Sequence, residues 1–214
     1  MVEPKTKSNP LRNLGAANIV TLARILAIPL FLVALMSSWP TLFADSGPLF
    51  ALRPWIAAAV FTLVSATDAV DGYLARKRNQ VTTFGTFIDP LADKLLVTAA
   101  LLALVQMNAL PAWIALVIIA REFVVSGLRM IASAEGMIIA ASRLGKAKTT
   151  FQDIAIVLFI VKDSTNIFGS LTPWIADGFA SLAWFIMSIA VILTLWSMVD
   201  YFRKSTEILR GPWN

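Results

Sequence analysis

The chain contains no cysteine and no histidine. Without cysteine there is no disulfide framework and no thiolate-ligated zinc or iron centre. Without histidine the usual neutral-pH general base and the commonest imidazole metal ligand are missing. Proton transfer is left to carboxylates, lysine, hydroxyls and water. Any metal the chain holds is then a hard, oxygen-seeking cation such as Mg2+ or Mn2+. Charge is also scarce: 14% of the residues are charged, against roughly 25% in a soluble domain.

What the chain has in abundance is apolar side chain. Hydrophobic residues make up 58% of it and the mean hydropathy is +0.76, which places it among polytopic membrane proteins. A spanning helix takes about 20 predominantly apolar residues. That length, slid along the chain, marks six segments: Asn18 to Ser38, Pro54 to Arg76, Thr86 to Met107, Pro111 to Ala132, Lys146 to Val161 and Phe179 to Tyr201. The fifth is short and is interrupted by Gln152 and Asp153. Proline opens several of the segments, where its missing backbone donor costs little. The expected fold is all-α, with six transmembrane helices and a short interfacial N-terminal segment. Residues 1–17 form that segment, 18–202 the helical domain and 203–214 a tail. The first segment is too long for the h-region of a signal peptide.

Basic residues orient the segments. Lys5, Lys7 and Arg12 precede the first; Arg76, Lys77 and Arg78 follow the second; Arg143, Lys146 and Lys148 lie between the fourth and the fifth; Arg203, Lys204 and Arg210 follow the sixth. All four groups fall on one side, so both termini are expected to be cytoplasmic. The net charge of +5 sits in loops between apolar segments, which suits anionic lipid headgroups better than nucleic acid. Trp39, Trp55, Trp113, Trp174 and Trp196 lie near segment ends and suit interfacial anchoring.

Four acids break the apolar pattern. Asp68 and Asp71 fall near the cytoplasmic end of the second segment, and Asp89 and Asp93 near the cytoplasmic start of the third. Intramembrane carboxylates need a compensating charge, and metal cations are one. Helical residues three or four apart share a face, so two such pairs surround one small volume. Gly72 and Ala75 keep bulk off that face, and Gly85 permits close approach. The same acids also suit salt bridges to Arg76, Lys94 or Arg121, or the ion-coupling carboxylates of a cation-coupled transporter.

The full spacing narrows these options. Asp68, Asp71, Gly72, Ala75, Arg76, Gly85, Asp89 and Asp93 spell D-x-x-D-G-x-x-A-R-x8-G-x-x-x-D-x-x-x-D, and this pattern resembles the signature of the CDP-alcohol phosphatidyltransferase family. The runs Asn18 to Arg24, Ala120 to Phe123, Gly127 to Arg129 and Leu144 to Thr150 are similar to the branch of that family whose acceptor is glycerol 3-phosphate. The similarity covers roughly residues 14 to 155.

The resemblance implies a six-helix bacterial inner-membrane homodimer. Such an enzyme moves a phosphatidyl group from CDP-diacylglycerol to an alcohol and releases CMP. It implies two divalent cations, Mg2+ or Mn2+, on Asp68, Asp71, Asp89 and Asp93, with Asp93 also the general base. It further implies a CDP site at Asp68, Gly72, Ala75 and Arg76, to which Thr67 adds a hydroxyl. A phosphorylated acceptor needs cations of its own, and Arg121, Arg129, Arg143, Lys146 and Lys148 are the candidates. The last three equally suit anionic lipid headgroups at a cytoplasmic helix end. Phosphatidylglycerol (giving cardiolipin) and an inositol phosphate remain alternative acceptors.

Overall fold

The computed structural model describes residues 16–36, 52–78, 83–134, 143–162 and 173–209. All the regular structure among them is helical: α1 (Ala16–Met36), α2 (Arg53–Arg78), α3 (Thr83–Gln106), α4 (Ala112–Ala134), α5 (Arg143–Val161) and α6 (Pro173–Leu209). Each of the six apolar segments corresponds to one helix. The rest of the N-terminal segment and the end of the tail lie outside the described residues.

The helix boundaries follow local chemistry. Pro173 opens α6 and Pro54 sits in the first turn of α2, positions where a missing N–H is harmless. At the end of α3, Asn108 takes a left-handed φ of 56°. The Asn108 N–H then reaches the Val105 carbonyl at 3.0 Å, and the Ala109 N–H the Leu104 carbonyl at 2.9 Å. These two bonds close the helix in the manner of a Schellman cap, with asparagine in the place usually held by glycine. Arg53 donates from Nη2 to the Leu35 carbonyl at 2.8 Å. A cation thereby sits on the C-terminal carbonyls of α1, where the helix dipole favours it, and ties α1 to the start of α2.

Two helices differ from the segments expected of them. Helix α6 has 37 residues and runs past both Phe179 and Tyr201, because a search at bilayer thickness stops where charge begins whereas backbone hydrogen bonding does not. Helix α5 begins at Arg143, so the basic run containing Lys146 and Lys148 is its first two turns. One helix, over Asp177–Arg203, is long and apolar enough among the described residues to cross a membrane. Helix α4 is of similar length but carries Arg121, Glu122 and Arg129 within it.

Helix α5 packs on α6 and on α2, α1 packs on α2 and α3, and α4 packs on α6. The core is continuous through these contacts. Phe31 and Phe61 meet with ring centroids 5.8 Å apart, and Phe159 meets Trp184 edge-on at 5.0 Å. Such pairs add about 0.5–1.5 kcal/mol each beyond their burial. Leu96, Leu101, Leu104, Ile118, Ile156 and Met187 fill the space between them. Large apolar side chains also cover the outside, among them Leu63, Trp113, Leu116, Phe185, Ile192 and Trp196. Trp55 is exposed as well, whereas Trp39 and Trp174 lie outside the described side chains.

Candidate functional site

Helix α6 buries Ala183, Met187, Ala190, Thr194, Ser197 and Tyr201. These residues recur at alternating steps of four and three, so they form one inward stripe. Its first half is apolar and its second half polar. Helix α5 mirrors this with Lys148 and Gln152 buried ahead of Ala155, Ile156 and Phe159. Helix α4 places Arg121 and Val125 on its buried side. Polar interior therefore collects at one end of the α4–α5–α6 packing, and apolar interior at the other.

Lys148 is fully buried and forms an ion pair with Glu122 of α4. A sealed ammonium is costly without a counter-charge, and Glu122 supplies it. The same Glu122 oxygen lies 3.5 Å from Arg121 Nη1. This contact is glancing, because adjacent helical residues point about 100° apart. Arg121 is 6% exposed and donates from Nε to Ser197 Oγ at 3.1 Å. Ser197 can accept that bond because its own proton goes to the Thr194 carbonyl at 3.0 Å.

Arg129 lies two turns further along α4 and donates from Nε to the Tyr201 phenol oxygen at 2.7 Å, with a second bond from Nη2. Both guanidinium groups also approach the Tyr201 ring, with Arg129 5.1 Å and Arg121 6.0 Å from its centroid. Lys148 and Arg121 thus share one carboxylate, and Arg129 joins Arg121 at one tyrosine. Arg121 Nη2 and Arg129 Nη1 make no hydrogen bond to described residues, so N–H donors remain on both forks. A planar, multiply donating, positively charged group suits an oxyanion such as phosphate.

The acids stand on the neighbouring helices. Helix α2 is continuous through Asp68 and Asp71, and α3 through Asp89 and Asp93. Each pair is therefore three or four residues apart on real helix and shares a face. The side chains of these four, of Gly72, Ala75 and Arg76, and of Arg143 and Lys146 lie outside the described ones. Thr67 is exposed, and its hydroxyl donates back to the Leu63 carbonyl at 2.7 Å, which leaves its lone pairs for other donors. Ser65, three residues before Asp68, donates to Asp153 Oδ2 of α5 at 3.1 Å. That bond joins the acid-bearing helix to the helix of Lys148.

Of the expected acceptor cations, Arg121, Arg129 and Lys148 are brought together. The burial of Lys148 is not what a lipid-headgroup contact gives. Glu122, Ser197, Tyr201 and Asp153 were not among the candidates. For Ser197 and Tyr201 a signal did exist in the polar stripe Thr194, Ser197 and Tyr201 at helical spacing, although a tyrosine at a segment end ordinarily reads as an interfacial anchor.

The sequence matches known proteins along most of its length. The CDP-alcohol phosphatidyltransferase model matches residues 14–196. A CDP-diacylglycerol–glycerol-3-phosphate 3-phosphatidyltransferase of Bacillus subtilis is 44% identical over 90% of this chain and 96% of its own length. One of Pseudomonas fluorescens with the same description is 38% identical over 90% and 91%. A probable phosphatidylglycerophosphate synthase of Mycobacterium tuberculosis is 36% identical over 91% and 83%. With its acids spaced on two helices as the family signature has them and the match covering nearly its whole length, the chain belongs to the CDP-alcohol phosphatidyltransferase family.

Proposed function

We propose that the protein transfers the phosphatidyl group of CDP-diacylglycerol to sn-glycerol 3-phosphate, forming phosphatidylglycerol phosphate and releasing CMP. Family membership and full-length relatives with that activity in their names support the reaction class and the acceptor. The observation that carries the acceptor is the chain of contacts that links Lys148 and Arg121 through Glu122, and Arg121 and Arg129 through Tyr201. Among these side chains positive charge is in excess, which fits an acceptor that brings a phosphate of its own.

The donor set of Asp68, Asp71, Asp89 and Asp93 is all oxygen and lies on two continuous helices, as a hard divalent cation requires. These residues would hold two such ions, Mg2+ or Mn2+. When bound, the ions neutralise charge on the diphosphate oxygens and on the departing CMP. Gly72, Ala75 and Arg76 would seat the cytidine diphosphate, with Thr67 at its edge. Arg121, Arg129 and Lys148, joined by Arg143 and Lys146 from the first turn of α5, would hold the acceptor phosphate. The acceptor hydroxyl oxygen bonds to the lipid-side phosphorus, the bond from that phosphorus to the CMP oxygen breaks, and the hydroxyl proton passes to Asp93. An aspartate with an ordinary pKa near 3.9 is a weak base, so it takes the proton late, once attack has made the hydroxyl acidic.

The exposed large apolar side chains carried by each of the six helices would make an aggregating surface in water and a natural one in lipid. All six helices would span the bacterial inner membrane, with both termini and the site cytoplasmic, the N-terminal segment at the interface and two copies forming a dimer. The experiment is CMP release by detergent-solubilised protein given CDP-diacylglycerol and Mg2+ or Mn2+, with glycerol 3-phosphate, an inositol phosphate and phosphatidylglycerol as separate acceptors. Release with glycerol 3-phosphate alone supports the proposal. Release only with another acceptor moves the chain to another branch of the family.

A further inference from the structure

Both arginines of the anion cluster are held from α6 by uncharged groups, with Arg121 also 3.5 Å from the Glu122 carboxylate on its own helix. Tyr201, 2% exposed, accepts two bonds from Arg129 and lies beneath both guanidinium groups, and Ser197 one turn earlier accepts from Arg121. A carboxylate in either place would fix an arginine equally well but cancel its charge. A phenol and a hydroxyl fix the forks without adding a counter-charge of their own. Arginine keeps considerable rotamer freedom unless something holds it. Arg129 is exposed in this structure, so its direction depends on the phenol oxygen.

We infer that Tyr201 is a positioning residue for the acceptor: its phenol oxygen aims Arg129 and its ring carries Arg121, so that the two forks present a preset site to the phosphate of the incoming alcohol. The inference rests on the acceptor-phosphate reading of the cluster. Tyr201 does not touch the reacting atoms. Its contribution belongs to acceptor capture, and neither the diphosphate donor nor the chemical step depends on it.

The test uses the full-length protein in detergent, measuring CMP release against glycerol 3-phosphate at saturating CDP-diacylglycerol, and then the reverse. Tyr201→Phe keeps the ring and removes the oxygen. It is expected to raise the acceptor KM about tenfold, the size of one charge-assisted hydrogen bond. It should leave kcat, the donor KM and the thermal unfolding midpoint close to those of the unmodified protein. Arg129→Ala should raise the acceptor KM at least as much, and adding Tyr201→Phe to it should raise it no further. Ser197→Ala, a smaller perturbation of the same helix, should also raise the acceptor KM and spare the donor KM. If Arg129→Ala raises the acceptor KM while Tyr201→Phe does not, the inference is overturned and the phosphate site stands. If neither substitution moves the acceptor KM, the phosphate site itself is wrong. A Tyr201→Phe protein whose donor KM rises and unfolding midpoint falls alongside the acceptor effect has a merely structural tyrosine, and the inference fails.

Discussion

Ser65 of α2 donates its hydroxyl proton to Asp153 of α5 at 3.1 Å. The bond fixes the turn of α2 that leads into Asp68 and Asp71 against the helix that carries Lys148. Metal ligands held within a fraction of an ångström bind better than ligands left to find their places. Ser65→Ala and Asp153→Ala should therefore each raise the Mg2+ or Mn2+ concentration giving half-maximal CMP release by about three- to tenfold, as the loss of one modest hydrogen bond does. The double substitution should be no worse than the more damaging single one. A metal titration of the three variants decides it, and additive effects would mean the two residues act separately.

Glu122 balances the buried ammonium of Lys148. Glu122→Gln removes the carboxylate of that ion pair, and breaking a buried pair in this way costs about 3–5 kcal/mol. Thermal unfolding in detergent should show a clear fall in midpoint. Removing both charges, in Glu122→Gln with Lys148→Met, should recover most of the stability while acceptor use stays poor. Recovery of acceptor use as well would mean Lys148 has no part in binding the phosphate.

Arg53 caps the carbonyl of Leu35 at the end of α1. Arg53→Ala should lower stability by about 1 kcal/mol, the scale of a charge at a helix terminus, with no change in either KM. Both residues lie at the far end of α2 from the acids, so a change in donor KM would show that α1 and α2 are coupled to the site more tightly than their packing indicates.

The helices were legible because each buries an apolar run of the right length, and that signal is one-dimensional. The acids stand out in the sequence by spacing alone, and the structure adds that α2 runs unbroken through Asp68 and Asp71 and α3 through Asp89 and Asp93. The arginine cluster was only half legible. Arg121 stands out as a cation within an apolar run, but its true partners, Ser197 and Tyr201, are about 80 residues away in the chain and come near only through α4–α6 packing. Asp153 appeared as an interruption of a short apolar segment, and its meaning emerges only from α2 beside it. The full extent of α6 was hidden because hydropathy measures where lipid ends, while the helix continues through Arg203 to Leu209.

Divalent cations on the aspartates predict that a chelator abolishes CMP release and that Mg2+ or Mn2+ restores it, while Ca2+, larger and more loosely coordinated, restores it poorly. Release that survives exhaustive chelation would remove the metal role from all four acids.

The most direct test of the central claim is CMP release from CDP-diacylglycerol with glycerol 3-phosphate as acceptor, comparing the unmodified protein with Asp93→Asn. Asparagine keeps the shape of the side chain but cannot take the hydroxyl proton or match the carboxylate as a ligand. The account predicts metal-dependent release by the unmodified protein and a fall of at least about a hundredfold in Asp93→Asn, the lower range for losing a general base. Undiminished release by Asp93→Asn, or no release by the unmodified protein with any acceptor, would contradict it.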